Sequence, residues 1–172
     1  MSDFGHRLTL DRIRDGDRID LIADEAECAA VCGRLGLSSL DRLAAHAVLT
    51  READRIGASG RLKAALEQRC VATSEPMAVH VDEAFELRFV PAPAAGDEEV
   101  ELDASELDLL FHDGQSIDLG AAIADSLALA LDPYPRSADA GAALQQAGVI
   151  SEEEAGPFAA LAALKAKLPG ES

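Results

Sequence analysis

The most reactive side chains of this 172-residue chain belong to its three cysteines, of which two lie close together in the sequence and the third is isolated. Cys28 and Cys32 are four residues apart, so on a helix both thiols would face one side and could contribute to a metal site. Cys70 stands alone in the stretch LEQRCVATSEP, where a neighbouring base could make it a nucleophile. Which of these roles is available depends on the elements that position the thiols.

The first two cysteines fall in a predicted helix over residues 24–35, DEAECAAVCGRL. Asp24 is an N-cap residue with Glu27 three positions later, and Gly33 lies near the end. The helix is rich in alanine, so we expect Cys28 and Cys32 to pack in the core. A structural zinc takes four ligands, usually in local pairs, and the third cysteine has no local partner, so we predict no metal and no cofactor.

Cys70 ends a predicted strand whose side chains alternate between two faces over residues 55–70. Strand side chains have a period of two, which places Leu66 and Cys70 on the apolar face. We therefore predict a buried packing role for Cys70. The opposite face carries the basic residues Arg55, Arg61, Lys63 and Arg69.

The flanking segments 41–51 and 77–90 alternate in the same way, and residues 7–22 resemble a hairpin around Asp15-Gly16. Residues 118–131 predict a helix that Asp118 caps and that the following DPYP ends. Alternating strands joined by short turns favour an antiparallel sheet with one covered face. We predict an α+β fold, with a strongly curved or barrel-like antiparallel sheet covered by two or three short helices.

The predicted domain organisation is one α+β domain over residues 1–135, followed by an Ala/Gly-rich linker and a C-terminal helix over residues 136–172. A mobile acidic insert near 91–108, with one short strand near 98–102, would interrupt the domain because it is rich in Pro, Ala and acidic residues. Pro157 begins the last predicted helix.

The charge of −17 is unevenly distributed along the chain. Residues 1–88 carry 16 acidic and 12 basic residues, whereas residues 89–135 carry 11 acidic residues and no Lys or Arg. The middle stretch would repel a phosphate backbone and could dock a basic partner. The candidate residues for that partner are Asp97, Glu98, Glu99, Glu101 and Asp103. The candidate RNA-facing residues are the four basic side chains Arg55, Arg61, Lys63 and Arg69.

Motifs of the common enzyme classes are missing from the sequence, which has no P-loop, no Gly-rich dinucleotide turn, no His-Glu-x-x-His and no G-x-S-x-G. Histidines 6, 46, 80 and 112 lie far apart, and those on polar strand faces are expected to be solvated. We predict no catalytic residues and no enzymatic activity.

The N-terminus has no apolar segment typical of a signal peptide, and no run of about 18 apolar residues occurs. An odd number of cysteines without a secretion signal favours reduced thiols. We expect a cytoplasmic protein without a membrane partner, and the sequence leaves its oligomeric state open.

Two stretches resemble the signatures of the YceD/DUF177 family. In the first signature a strand leads into C-x-R-C and a turn; Arg69 and Cys70 match, and Glu67 stands at the first cysteine. The second reads IDLGAAIADSLALALDPYPRSADA, in which Ile117, Asp118, Leu119 and Pro135 match, and Ser137 with its neighbours replaces a further cysteine pair. The closing GPFAALAALKAKL is also similar, and the order of elements resembles the alphaproteobacterial branch.

The resemblance implies a small, cytosolic, non-enzymatic factor needed for accumulation of large-subunit (23S) ribosomal RNA. Genes of this family commonly lie beside that of a small, basic large-subunit ribosomal protein. Because three of the four family cysteines are replaced, a metal site is not carried over to this chain.

Three hypotheses about function follow. In the first, the protein is a ribosome-biogenesis factor that binds a basic ribosomal protein or assembly factor of the large subunit. In the second, the basic sheet face binds rRNA directly. The third, a thiol-dependent enzyme or redox sensor, needs a low thiol pKa at Cys70 and a thiol that reagents can reach.

Overall fold

The computed structural model describes residues 4–93 and 109–149. The predicted short strand near 98–102, the acidic candidates Asp97 to Asp103 and the helix from Pro157 lie outside these residues. The described elements, in chain order, are β1 (Arg7–Thr9), a 3₁₀ turn (Leu10–Arg12), β2 (Arg18–Ile22), α1 (Glu25–Leu35), β3 (Ser39–Glu52), β4 (Arg55–Arg69), β5 (Pro76–Pro91), β6 (Leu109–His112), β7 (Ser116–Asp118), α2 (Leu119–Ala130) and α3 (Ala140–Gln146).

Helix α1 begins where its capping sequence predicts. The Glu27 amide donates to Asp24 Oδ1 at 2.8 Å, and the Asp24 amide donates to Glu27 Oε2 at 3.0 Å, which completes a capping box. A cap of this kind contributes about 1 kcal/mol to helix stability. The helix ends at Leu35, as predicted, and the C-cap residue Gly36 has a φ of +64°, which suits glycine.

In the described part of the chain, the main sheet has five strands in the order β2-β3-β4-β5-β6. The predicted inward side chains of β3 and β4 are buried, among them Leu43, Leu49, Ile56 and Leu62 at 1% exposure or less. Helices α1 and α2 pack on this face, and residues of both belong to the hydrophobic core. The α+β prediction is confirmed. The sheet does not close into a barrel, since β2 and β6 form its edges within the described residues.

The last strand pair differs from the antiparallel prediction. β6 pairs with β5 in parallel, in a register that joins Arg88 to Leu109 and Pro91 to His112. Parallel neighbours need a long crossover connection, and residues 92–108 provide one. Alternation along β6 could not reveal its direction, because the burial pattern of a strand is the same in both orientations.

The predicted hairpin over residues 7–22 is wrong. Asp15-Gly16 does form a turn, with Gly16 at φ +82°, but β2 then pairs with β3, and β1 pairs with β7 in a separate two-stranded sheet. The Arg51 side chain explains part of this arrangement. It donates hydrogen bonds to the carbonyl oxygens of Leu10 and Ile13, which holds the 3₁₀ segment against the end of β3.

One further segment differs from the expectation based on local sequence, and one histidine has surroundings for which local sequence gave no expectation. The segment expected to be a linker contains α3, whose first residue, Ala140, is 3% exposed. His112 is buried, unlike His46 and His80 on the exposed sheet face. Its Nε2 donates to the Asp54 carbonyl oxygen at 2.8 Å, and its Nδ1 accepts from the Gly114 amide at 3.1 Å. These contacts fix one tautomer and tie β6 to the β3–β4 turn.

Candidate functional site

The first candidate region is the turn between β4 and β5, which contains Cys70. The Cys70 amide donates to the Glu75 carbonyl oxygen at 2.8 Å, and the Ser74 amide donates to the Cys70 carbonyl oxygen at 2.8 Å. Ser74 has a φ of +61°. These contacts close a tight turn, so that Arg69 and Pro76 are the last paired residues of the two strands.

The second region is the start of α2, where Ile117, Asp118, Leu119 and Gly120 follow one another. Asp118 Oδ1 accepts from the Ala121 amide at 3.0 Å and caps the helix, as predicted. Ile117 and Leu119 are buried in the core, and the Leu119 amide donates to the His6 carbonyl oxygen at 3.0 Å. Gly120 lies directly against the backbone of Phe4 and His6. This stretch therefore attaches the N-terminal strand to α2.

The chain after α2 brings these two regions together. The Val71 amide donates to the Pro135 carbonyl oxygen at 2.9 Å, and Gln68 Nε2 donates to the Asp132 carbonyl oxygen at 3.1 Å. The Ser137 amide and hydroxyl lie 3.3 and 3.5 Å from Cys70 Sγ. We call this contact between residues 68–71 and 132–137 the signature junction.

Cys70 is buried in the signature junction at 1% exposure, as predicted, but its surroundings are polar. Hydrogen bonds from the Ser137 hydroxyl and amide, and from Thr73, lower the pKa of the Cys70 thiol to about 6, against the opposing effect of burial. The thiol is therefore a hydrogen-bond acceptor that joins two distant parts of the chain. The low pKa meets one requirement of the thiol-enzyme hypothesis, whereas the burial prevents access to the sulfur.

A protein-family model matches the part of the chain that contains the signature junction. The model of the large ribosomal RNA subunit accumulation protein YceD matches residues 58–165, which is more than half of the chain and includes both signatures. The chain belongs to the YceD family. No curated protein and no solved structure matches it.

The other YceD signature positions have structural roles that the geometry explains. Arg69 Nη1 donates to the Ser74 carbonyl oxygen at 3.4 Å across the β4–β5 turn. Glu67 occupies the position of the first family cysteine. It lies on β4, between β3 and β5, and is in register with Ser39 of β3 and Ala78 of β5. Among the described residues, no three His, Cys, Asp or Glu side chains are arranged to hold a metal ion.

Cys28 and Cys32 face the core from α1, and each thiol lies near a backbone carbonyl oxygen. Cys28 Sγ is 3.9 Å from the oxygen of Ala23, and Cys32 Sγ is 3.4 Å from that of Leu37. Burial raises the pKa of the Cys28 thiol, and nearby acidic side chains add to this effect. The two thiols thus behave as small apolar core residues.

The four basic candidates of this YceD chain all lie on the uncovered face of the sheet, and each is exposed. Asp82 on β5 pairs with two of them: Arg61 Nε is 2.8 Å from Asp82 Oδ1, and Lys63 Nζ is 3.4 Å from Oδ2. These contacts lower the pKa of Asp82. Arg55 and Arg69 are at opposite ends of β4, roughly 45 Å apart at the usual rise of a strand. The face therefore holds separated and partly neutralised cations.

The acidic section contributes four described aspartates, and local hydrogen bonds use several of their oxygens. Asp113 accepts from the Gln115 and Ser116 amides at 2.8 and 3.0 Å, which lowers the pKa of its carboxyl group. The connection that holds Asp97 to Asp103 leaves the described structure after Pro93 and returns at Leu109. Both ends are at the β6 edge of the sheet.

No helix among residues 4–93 and 109–149 is long and apolar enough to span a bilayer.

The lowered Cys70 pKa leads to a test of the signature junction. Because the folded-state pKa of about 6 is below the ordinary thiol value of 9.0, the unfolded chain binds more protons between these values. The contribution of Cys70 to stability is therefore present above pH 9 and is lost as the pH falls through 6. We expect the difference in unfolding free energy between wild type and Cys70→Ala to grow as the pH rises from 6 to 9.

Urea denaturation at a series of pH values measures this difference, with Cys28→Ala as the matched control. Burial raises the Cys28 pKa above 9.0, so its difference from wild type should stay flat at the lower pH values and shrink, rather than grow, as the pH approaches 9. A flat profile for Cys70→Ala would show that the Ser137 contacts do not favour the thiolate.

Proposed function

We propose that this YceD protein supports accumulation of 23S rRNA by binding, without catalysis, a basic ribosomal protein or assembly factor of the large subunit. The family description supports the role in accumulation of the large ribosomal RNA. The observation that carries the choice of partner is the charge distribution: residues 89–135 contain 11 acidic residues and no Lys or Arg. Such a stretch attracts a basic protein and speeds its association.

The proposed binding residues are Asp97, Glu98, Glu99, Glu101 and Asp103. They belong to the connection that begins and ends at the β6 edge, so a partner held there would lie beside the sheet. An acidic surface would occupy the RNA-binding cations of a ribosomal protein until rRNA replaces it. This sequence of events takes place in the cytoplasm and requires no cofactor.

The second candidate function is direct binding of rRNA through Arg55, Arg61, Lys63 and Arg69. Their exposure on one open face favours it. Their pairing and separation reduce the attraction that they can offer to phosphates, since Asp82 already neutralises part of the charge of Arg61 and Lys63.

A native pull-down with and without ribonuclease tests the proposal. We expect a basic large-subunit protein to be recovered with the tagged YceD protein, and to remain bound after ribonuclease treatment. An association that ribonuclease abolishes would favour the rRNA-binding alternative. Measuring recovery over a range of salt concentrations adds a second readout, because binding to RNA weakens steeply with salt.

A further inference from the structure

A groove with a volume of about 330 Å³ opens between β6, β7 and α2. Its walls include Phe89, Leu110, Ile117 and Ala122, which are apolar and mostly buried. Phe111 also lines it and is 60% exposed. The groove borders β6, which is an edge strand of the main sheet within the described residues, and one wall comes from the start of the second signature stretch, at Ile117 and Ala122.

The charged groups around the groove are mostly acidic. Asp113, Asp118 and Asp125 line it together with one cation, Arg7. Arg7 Nη2 is 4.0 Å from Asp118 Oδ2, and its side chain is 70% exposed, so this pair is weak. Asp125 Oδ1 is 3.0 Å from Arg34 Nη1 and keeps 58% of its side chain exposed. Each carboxylate has more acceptor positions than these contacts use.

We propose that this groove binds an extended basic segment of the partner protein, a conclusion that rests on the proposed function and names its docking site. Lysine and arginine side chains have apolar stems and charged ends. The stems would lie on Phe111 and the half-buried Leu110, and the charged ends would reach the carboxylates of Asp118 and Asp125. An extended segment also suits β6, which has no outer neighbour among residues 4–93 and 109–149, because an added strand can use main-chain hydrogen bonds there.

Charge complementarity selects this occupant over nucleic acid. Three carboxylates outnumber the two guanidinium groups near them, Arg7 in the lining and Arg34 paired with Asp125, so the groove keeps a net negative charge, which repels phosphate groups. The sequence neighbours of the groove on β6, β7 and α2 offer no compensation, because residues 89–135 contain no Lys or Arg. A cationic segment with aliphatic stems satisfies both the apolar walls and the acidic rim.

The test uses the full-length protein and a labelled synthetic peptide of alternating lysine and valine, titrated by fluorescence anisotropy. Ala121 lines the groove. Ala121→Arg would therefore fill the groove and introduce a positive charge that repels the lysine side chains of the peptide. Ala128 is exposed on α2 and does not line the groove, so Ala128→Arg is the matched control. We expect Ala121→Arg to weaken binding by about tenfold or more and Ala128→Arg to leave it within about twofold.

A second pair of variants covers the case in which Ala121→Arg fails to fold. Asp125→Asn removes one groove charge, whereas Asp139→Asn removes one exposed charge whose side chain makes no capping bond to α3. Binding that is weakened more by Asp125→Asn than by Asp139→Asn supports the groove. Equal effects within each pair, or a peptide whose binding leaves the amide NMR signals of β6 and α2 unchanged, would overturn it.

Failure of this inference is distinguishable from failure of the proposed function. If the groove variants bind the peptide normally but the pull-down still recovers a ribonuclease-resistant basic protein, the docking site is wrong and the function stands. If the recovered association depends on RNA, the proposed function fails. If single-stranded RNA, instead of the peptide, shifts the amide NMR signals of β6 and α2, the choice of a basic segment would also be overturned.

Discussion

Converting Glu98, Glu99, Glu101 and Asp103 to their amides is expected to slow assembly of the large ribosomal subunit and to lower the level of 23S rRNA. These four charges are proposed to attract the basic partner, so their removal would reduce the rate at which the partner associates with the protein, by about tenfold at low salt. Sucrose-gradient profiles and the ratio of large- to small-subunit rRNA in a strain that carries only the variant measure the effect.

The matched control has the same change in net charge elsewhere on the chain. Asp11, Asp41, Glu52 and Glu75 are exposed on other parts of the molecule. Converting these four to amides should leave rRNA levels near those of wild type. An equal defect in both variants would show that total charge, rather than the 94–108 connection, is what matters.

A third variant separates the two binding hypotheses. Changing Arg61, Lys63 and Arg69 to Gln removes exposed charges and should leave folding nearly intact. If the protein binds a basic partner, this variant should behave like wild type. If it binds rRNA directly, the outcomes reverse, and the slope of log affinity against log salt should fall by up to about 3 as three phosphate contacts are lost. Normal 23S rRNA in the acidic variant beside a defect in the basic one would contradict the proposed mechanism.

The second large effect is expected at Gly120, where alanine should lower the free energy of unfolding by about 2–4 kcal/mol. A Cβ atom there would overlap the carbonyl oxygen of Phe4 and lie 2.8 Å from the His6 amide nitrogen. Both obstacles are backbone, so they cannot move aside without displacing β1. That displacement would cost the hydrogen bond from Leu119 to His6 and the burial of Phe4.

Gly33 provides a control of opposite sign. It lies in α1, and a Cβ there would meet nothing within 4 Å. Helix propensity alone therefore predicts that Gly33→Ala stabilises the protein by about 0.5–1 kcal/mol, and the same propensity would favour alanine at position 120. Urea denaturation of both variants compares the two effects. A Gly120→Ala protein as stable as Gly33→Ala would show that the N-terminal strand does not pack against α2 as described.

Local sequence signals determined the elements whose stability comes from neighbouring residues. Asp24 and Glu27 predicted the start of α1, and Asp118 predicted the start of α2, because a cap and its first turn lie within four residues. Alternation predicted the buried face of β3, β4 and β5, since side-chain period depends only on strand geometry. The two family signatures in the sequence were sufficient to place the chain in its family.

Strand partners and the contacts between distant segments were decided by the tertiary structure. The same polar and apolar pattern fits β1 against β2 or against β7, so the Asp15-Gly16 turn signal led to the wrong pairing. The parallel direction of β6 depends on its crossover connection, which has no local signature. The buried thiol of Cys70 was predicted from its face, whereas its low pKa depends on Ser137, which lies 67 residues away in sequence. The groove beside β6 likewise combines residues of β1, β5, β6, β7 and α2, whose proximity only the packing of the whole chain establishes.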